Sequence, residues 1–335
     1  MQRDHAGRPT SIDFEVDLNH RPLPLRCDLF LTRKLTTRSR TQIQSLFKEK
    51  RVVIEDRVIS ASYKLKGGEV VKILLSEDAE YIPPEAVDWE LVLEEEHFMV
   101  VNKGPDVMMH PAGSVLSGTL LNAIHKYFED KGDPLRPGLI QRLDKNTSGL
   151  LLVAKTPEAH QNLQSQIGNH ELDKIYLAFC EGVPENDEGM IEAPLDETYH
   201  PFVKKMAVIE GGKASSTRYK VLAKWEDRCL CGVRLYTGRQ HQIRVHMAHI
   251  GHPLVGDELY GGKRDFSRQA LHSYYINMTD PLSQEFREFQ APLPGDMISL
   301  LDALGPPRSI DDNVDTHCRD FPWSPRTWLH KIHNS

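Results

Sequence analysis

Cysteine is scarce in this sequence, and long apolar runs are absent from it. The 335 residues include five cysteines, at positions 27, 180, 229, 231 and 318, and no two have C-x-x-C spacing. Thiols this few and scattered exclude the disulfide framework of small secreted domains. No stretch approaches the ~20 consecutive apolar residues of a membrane span, and the polar first residues contain no apolar signal segment. We therefore expect a protein of the reducing cytoplasm without membrane attachment.

The charge of the chain is unevenly distributed. Hydrophobic residues at 39% and charged residues at 27% are ordinary for a folded protein, and the length predicts about two domains. The net charge is −7, yet residues 26–66 contain eleven Lys or Arg against four Asp or Glu, a net +7. A basic module on an acidic protein indicates a phosphate-binding domain, and a solvated charged surface is the alternative.

This basic window also has a clear pattern of secondary structure. Residues 1–22 are polar and predict a mostly extended arm. A short helix is predicted from Arg26, and Ser39 with Gln42 forms an S-x-x-Q capping box at the start of a second helix. That helix has an apolar stripe and, on its opposite side, a basic stripe: Ile43, Leu46 and Phe47, and Arg40, Lys48 and Arg51.

A hairpin and a further strand complete the module. The hairpin is predicted to turn at Glu55-Asp56, and the strand covers residues 70–75. This helix–helix–hairpin arrangement, headed by Arg26-Cys27-Asp28-Leu29-Phe30-Leu31, resembles the S4 RNA-binding domain. The resemblance implies an RNA-binding domain over residues 23–76 whose basic stripe contacts phosphates.

The remainder of the chain predicts a larger α+β domain. Residues 77–90, with Pro83-Pro84, are typical of a linker. Strand-length apolar runs alternate with turns over residues 91–305, which favours a mixed, mainly antiparallel sheet with flanking helices. Thr156-Pro157-Glu158 is typical of a helix start. Residues 306–335 form a polar C-terminal extension to which we assign no role.

The most informative segment lies at residues 138–155. A charged Arg142-Leu143-Asp144-Lys145 cluster and an Asn-Thr-Ser-Gly turn directly precede an apolar strand, Leu150 to Ala154. Polar side chains at the mouth of a buried strand are held rigidly and can face a cleft. From spacing alone, an aspartate that caps the turn and pairs with a neighbouring cation is the better interpretation.

The same segment resembles the signature of the RluA-type RNA pseudouridine synthases. Three more blocks follow the family pattern in order, namely Val101-Asn102-Lys103-Gly104-Pro105, Lys174-Ile175-Tyr176-Leu177-Ala178 and Gly238-Arg239-Gln240-His241-Gln242-Ile243-Arg244. Gly256-Asp257-Glu258-Leu259-Tyr260 continues the third block, and Arg268-Gln269-Ala270-Leu271-His272 provides the closing motif. The sequence departs from the family pattern at Gln141, Asn146 and Gln240, none of which carries the chemistry.

The resemblance implies a function and a set of site residues. It makes Asp144 the catalytic aspartate, pairs Arg244 with it, places the ring of Tyr176 against a flipped uracil and lets Arg142 fill the vacated stack. If Thr237 caps a helix that runs to about His249, Arg244 and His241 share one face of that helix. Conversion of uridine to pseudouridine loses no group and transfers no electron, so we expect no cofactor.

Several alternatives remain open at this stage. His246 and His249, with Asp257, could bind a metal ion in a metal-dependent hydrolase, although the spacing matches no established motif. A non-catalytic RNA-binding protein is a second alternative. Among substrates, large-subunit ribosomal RNA is expected first and transfer RNA second, and the protein is expected to act as a monomer.

Overall fold

The computed structural model describes residues 11–16, 25–34, 40–74, 86–111, 117–131, 138–200 and 205–310. These residues form two compact units. The first contains the described residues up to 87 together with 107–131, and the second contains 88–106 together with 138–310. The sequence predicted the second domain over residues 91–305. Residues 107–131 instead belong to the first unit. The Pro83-Pro84 linker and the extension beyond residue 310 lie outside the described residues. Within those ranges, no helix is both long and apolar enough to cross a bilayer.

The first unit begins with a small α/β module. Its elements are β1 (Ser11–Glu15), β2 (Leu25–Arg26), α1 (Cys27–Lys34), α2 (Arg40–Lys48), β3 (Val52–Ile54), β4 (Arg57–Val58), β5 (Lys64–Leu65) and β6 (Val70–Leu74). An antiparallel sheet has the strand order β1-β6-β3-β4, so part of the expected extended arm is an edge strand. The apolar stripe of α2 packs with α1 and this sheet in one core.

The β3–β4 hairpin turns where the sequence predicted. Ile54 pairs with Arg57, and the two turn residues, Glu55 and Asp56, have φ values of 48° and 64°. Two positive φ angles are the pattern of a type I′ turn, which Asn-Gly usually occupies. Glu55 and Asp56 therefore both adopt the left-handed conformation, which they favour less than Asn and Gly do.

The buried carboxylate of Asp28 joins the two helices of the module. It accepts hydrogen bonds from Arg26 Nε at 3.0 Å and Nη2 at 2.9 Å, and from Gln44 Nε2 on α2 at 3.0 Å. The first unit also contains α3 (Leu120–Asp130), which begins with a capping box between Thr119 and Asn122.

The second unit contains one large sheet and a separate two-stranded ribbon. Its strands are β7 (Trp89–Glu94), β8 (Phe98–Lys103), β9 (Gly138–Leu139), β10 (Ser148–Ala154), β11 (Lys174–Glu181), β12 (Glu188–Glu192), β13 (Leu195–Thr198), β14 (Lys205–Val208), β15 (Ser216–Lys224), β16 (Arg228–Leu235), β17 (Leu271–Thr279), β18 (Phe286–Gln290) and β19 (Ser309–Ile310). Its helices are α4 (Pro157–Gly168), α5 (Gln242–His249) and α6 (Gly295–Leu304). The main path through the sheet is β12-β15-β16-β11-β17-β10-β8-β7, and β13 pairs with β14 in a separate ribbon.

This sheet is mixed and mainly antiparallel, as the sequence predicted. Among the described strands, β10 and β17 form the parallel pair. The central strand β11 is buried along its whole length and alternates between two faces. Ile175, Leu177 and Phe179 pack in the core with α6, whereas Tyr176 and Cys180 point to the opposite face. A second core places α4 against β8 and β10.

The two predicted helix starts in this unit had different outcomes. Helix α4 begins as predicted, with the Thr156 hydroxyl accepting a hydrogen bond from the Ala159 N–H at 3.2 Å. The prediction for α5 was wrong, because this helix begins at Gln242 and not at Thr237. His241 takes the left-handed conformation, with φ 55°, and breaks the helical path. The Thr237 hydroxyl instead donates to the side chain of Gln242 at 2.8 Å and closes a turn.

Candidate active site

Asp144 opens a tight loop whose backbone carbonyl groups are all held in place. The Thr147 N–H donates to the Asp144 carbonyl at 3.0 Å. The Lys145 carbonyl accepts from Lys103 Nζ at 2.9 Å, and the Asn146 carbonyl accepts from Arg268 Nη1 at 2.9 Å. Hydrogen bonds from buried charged donors contribute roughly 1.5–3 kcal/mol each. The loop is therefore fixed from two sides before its side chains meet any substrate.

The two cations that hold this loop are themselves buried. Arg268 makes a bidentate ion pair with Asp296 at 2.6 and 2.9 Å. Lys103 is completely shielded from solvent. Burial, together with the charge of Arg268, lowers the pKa of Lys103 to about 7, against the opposing effect of Asp144. Lys103 and Arg268 both lie in family motifs of the sequence, but no role was predicted for either.

Strands β10 and β17 approach closely beneath the loop. Gly149 has a φ of 112°, and a Cβ atom there would lie 2.3 Å from the Ser273 carbonyl oxygen. Next to it, Ser148 Oγ lies 2.9 Å from His272 Nδ1. Burial and the charge of Arg268 lower the pKa of His272 to about 3, so this imidazole stays neutral at physiological pH. The strand junction under Asp144 therefore depends on a residue without a side chain.

Arg244 joins Asp144 to a second carboxylate. Its Nη1 donates to Asp144 Oδ2 at 3.1 Å, while Nε and Nη2 donate to the two oxygens of Asp257 at 2.6 and 2.8 Å. Burial opposes the charged form, but the hydrogen bonds and charges of Asp257 and Asp144 together raise the pKa of Arg244. A bidentate pair fixes the direction of the guanidinium as well as its charge. Asp257 thus aims the remaining edge of Arg244 at Asp144.

His241 and Tyr260 complete the surroundings of Asp144. His241 Nε2 lies 3.8 Å from Asp144 Oδ2, and its Nδ1 lies 2.8 Å from the Tyr260 hydroxyl. That hydroxyl accepts a hydrogen bond from the Met206 N–H at 3.0 Å, and the Tyr260 ring lies 5.0 Å from the Arg244 guanidinium. Sequence reasoning gave neither residue a place beside Asp144. The Tyr260 block was visible in the sequence, but the left-handed turn that aims His241 was not.

Tyr176 lies on the face of β11 opposite its apolar core. The pairing with β17 shifts register between Ile175 and Tyr176, an irregularity that often redirects a side chain beside an active site. Burial raises the pKa of Tyr176, the hydrogen bond with Ser273 opposes this, and the charge of Asp144 raises it further. The phenol is therefore protonated at neutral pH and within electrostatic reach of Asp144. Arg142, two residues before Asp144, is exposed to solvent.

Two residues of the alternative metal site, His246 and Asp257, are committed to other partners. His246 Nδ1 lies 2.9 Å from the Thr217 hydroxyl, and its Nε2 lies 3.0 Å from the Ala193 carbonyl. Both oxygens of Asp257 bind Arg244. This geometry disfavours a metal centre formed by His246, His249 and Asp257.

The predicted basic stripe is only partly on α2, because this helix ends at Lys48 and Arg51 lies beyond it. Lys48 is exposed at the end of the helix, and the side chain of Arg40 lies outside the described residues. Arg51 Nε donates to the Leu74 carbonyl at 2.8 Å, and its Nη1 lies 3.3 Å from Glu49. Lys48 is exposed to solvent, whereas the Arg51 guanidinium already has hydrogen-bond partners within the module. The role of all three residues in RNA binding stays a prediction.

Comparison with known proteins points in one direction. Residues 97–249 match the family model described as RNA pseudouridylate synthase. An uncharacterized RNA pseudouridine synthase of Bacillus subtilis is 38% identical, covering 83% of this chain and 94% of that protein. The ribosomal large subunit pseudouridine synthase D of Pseudomonas aeruginosa is 34% identical, covering 83% of this chain and 92% of that protein.

The fold is similar to that of a solved human structure. Human RNA pseudouridylate synthase domain containing 1 aligns with a TM-score of 0.57 and 24% identity, covering 76% of this chain and 98% of that one. At this level of identity the similarity concerns the fold.

Proposed function

Because this chain belongs to the RNA pseudouridylate synthase family, we propose that it isomerises specific uridines of large-subunit ribosomal RNA, with Asp144 as the catalytic residue. The observation that carries the proposal is the arrangement of Asp144, Arg244 and Asp257. Arg244 binds one oxygen of Asp144 and leaves the other oxygen of that carboxylate without a bond to the guanidinium. Both oxygens of Asp257 bind Arg244, so in this proposal Asp257 serves to orient the arginine.

The reaction breaks the bond from the ribose C1′ to N1 of uracil and forms a bond from C1′ to C5 of the same base. The proton on C5 is lost, and N1 gains one, so the product is an isomer of the substrate. Asp144 acts as nucleophile or proton acceptor, which requires the ionised carboxylate. Arg244 stabilises that form and fixes its direction.

Tyr176 and Arg142 handle the flipped base. The phenol of Tyr176 keeps its proton at neutral pH, because burial raises its pKa, and in this proposal it presents its ring to the uracil. Extruding a base costs a few kcal/mol, which contacts in the pocket and in the vacated stack must offset. Arg142 is exposed where its planar guanidinium can enter that stack.

The N-terminal module, which resembles an S4 domain, provides the contacts with the RNA backbone in this proposal. The exposed Lys48 and the +7 charge of residues 26–66 support this assignment. Phosphate contacts position a nucleic acid, whereas contacts in the pocket select the base. Relatives such as the ribosomal large subunit pseudouridine synthase D of Pseudomonas aeruginosa support ribosomal RNA as the substrate, with transfer RNA second.

The test is pseudouridine formation in RNA that lacks modifications. Full-length protein is incubated, without added cofactor, with transcribed large-subunit ribosomal RNA and separately with transfer RNA, and pseudouridine is measured in the nucleoside digest. We expect product in ribosomal RNA and none with the Asp144→Asn variant, whose RNA affinity should stay near normal. Product in transfer RNA alone would overturn the substrate assignment. Absence of product in both RNAs, or an active Asp144→Asn variant, would overturn the proposed chemistry.

A further inference from the structure

Three buried cysteines converge on one face of the large sheet. Cys180 on β11 lies directly opposite Cys229 on β16, and Cys231 lies two residues further along β16. Residues two apart on a strand share a face, so all three thiols point to the same side. Their sulfur atoms lie within 4.8 Å of one another, and the Cys229 and Cys231 sulfurs are 3.6 Å apart. All three side chains are fully buried.

This cluster takes no part in the reaction at Asp144. Cys180 is four residues beyond Tyr176 on the same strand, which corresponds to about 13 Å of chain. Isolated buried cysteines commonly act as small apolar residues, and Cys27 in the first unit has that environment. Three sulfur atoms in mutual contact are a different arrangement, because they can share one ligand.

The separations match the requirements of a metal ion with sulfur ligands. A metal–sulfur bond of ~2.3 Å places neighbouring sulfurs about 3.8–4.0 Å apart in tetrahedral or trigonal geometry. Small rotations of these side chains reach that spacing. Thiolates select soft cations and disfavour Mg²⁺ and Ca²⁺, which prefer oxygen ligands. We propose that Cys180, Cys229 and Cys231 bind one thiophilic d¹⁰ cation, Zn²⁺ or Cu⁺, and release their thiol protons to solvent.

A nearby imidazole distinguishes the two ions. His252 Nδ1 donates at 3.0 Å to the carbonyl of Glu181, the residue that follows Cys180. A histidine that donates one ring N–H to a carbonyl keeps the other nitrogen available for a metal. Zn²⁺ favours four ligands, and the His252 ring, which lies outside the group of three sulfurs, would have to move to supply the fourth. Cu⁺ is satisfied by three thiolates and would not need it.

The bound ion would act on the fold near the active site. The backbone of Cys180 forms an isolated β-bridge with Leu254, and the Val255 N–H donates to the Phe179 carbonyl at 2.9 Å. Two residues later, Asp257 binds Arg244. An ion that joins β11 to β16 at this point would stiffen β11, the strand to which the segment before Asp257 is hydrogen-bonded. Metal binding itself can be measured without reference to the proposed catalytic activity.

The experiment uses the full-length reduced protein and the metal alone. Zn²⁺, Cu⁺ and, as a spectroscopic probe, Co²⁺ are each titrated against a competing chelator. We expect one tightly held ion per chain and a thiolate-to-cobalt charge-transfer band. Cys180→Ala, Cys229→Ala and Cys231→Ala should each lose the band, and Cys27→Ala should retain it. His252→Ala should weaken Zn²⁺ binding by at least about tenfold and leave Cu⁺ binding unchanged.

Two results would overturn the proposal without reference to catalysis. One is a wild-type protein that shows no charge-transfer band and holds neither Zn²⁺ nor Cu⁺ against the chelator. The other is a Cys231→Ala variant that binds the metal as tightly as wild type does. Circular dichroism of each variant checks that loss of binding does not reflect loss of folding. The wild-type titration decides the question even where a variant fails to fold.

Discussion

The buried carboxylate of Asp257 controls the direction of Arg244. Asp257 is 2% exposed and holds two of the three guanidinium nitrogens, so Arg244 can reach Asp144 only with the third. In Asp257→Asn, one acceptor oxygen becomes an NH₂ group that opposes the guanidinium. Because misplacement by about 1 Å can cost ~10²-fold in rate, kcat should fall by roughly that factor while KM for RNA changes little.

The exposed neighbour Glu258 provides the control for this prediction. Glu258 pairs with Arg264 at the surface, so Glu258→Gln should leave kcat near the wild-type value. Steady-state kinetics on one RNA substrate measures both variants. An unchanged kcat in Asp257→Asn would show that Arg244 finds Asp144 without help.

Lys103 links the anchoring of the Asp144 loop to pH. Because its pKa falls to about 7 in the folded protein, the unfolded chain binds more protons than the folded one between about pH 7 and 10. The free energy of unfolding should therefore rise with pH across this range, by up to roughly 1.4 kcal/mol per pH unit from this group. Urea unfolding at several pH values should show a smaller slope in Lys103→Met than in wild type. Equal slopes would mean that Lys103 stays charged when buried.

At the scale of elements, the junction of β10 and β17 depends on Gly149. A methyl group there meets the Ser273 backbone on a residue that already has a positive φ. Gly149→Ala should destabilise the protein by roughly 2–4 kcal/mol and reduce turnover, because the loop of Asp144 continues directly into this strand. Gly168→Ala, at the open end of α4, is the matched control and should be neutral or stabilising. Chemical denaturation measures both, and equal stabilities would contradict the tight junction.

Helix α2 offers a test of the proposed RNA-binding surface. Charge reversal at Arg40 and Lys48 should weaken binding to structured ribosomal RNA and lower its salt dependence by about one unit of slope per lost phosphate contact. Turnover at saturating RNA should stay nearly unchanged. Arg308→Glu, which reverses an exposed charge of the second unit, is the control. Unchanged affinity and unchanged slope would identify the stripe as an ordinary solvated surface.

The elements also show which features a sequence determines locally. The strands β8, β10, β11 and β16 and the start of α4 were predictable, since apolar runs and the Thr156 cap are encoded within a few neighbouring residues. The start of α5 was not, because the left-handed turn at His241 places its side chain between Tyr260 and Asp144, groups far away in sequence. Likewise Asp144 and Arg244 were found through family motifs, but the anchoring roles of Lys103 and Arg268 needed the tertiary contacts.

At the scale of the whole molecule, the two units have separate cores. Leu31 belongs to the core of the N-terminal module, and Leu152 belongs to a core of the large sheet. Multi-domain chains commonly depart from a single unfolding transition. Calorimetry should therefore resolve two transitions, with Leu31→Ala lowering one and Leu152→Ala lowering the other. A single transition shifted by both substitutions would show that the units unfold together.

The parallel pairing of β10 with β17 has a consequence for the order in which the protein is made. The Asp144 loop rests on Arg268 and on partners in β17 that follow it by more than a hundred residues. At about 5–20 residues per second, a ribosome delivers Arg268 roughly 6–25 s after Asp144. During that interval the nascent chain holds Asp144 on a loop that has Lys103 but lacks Arg268 and β17. The Asp144 loop can therefore reach its final geometry only after β17 has been synthesised.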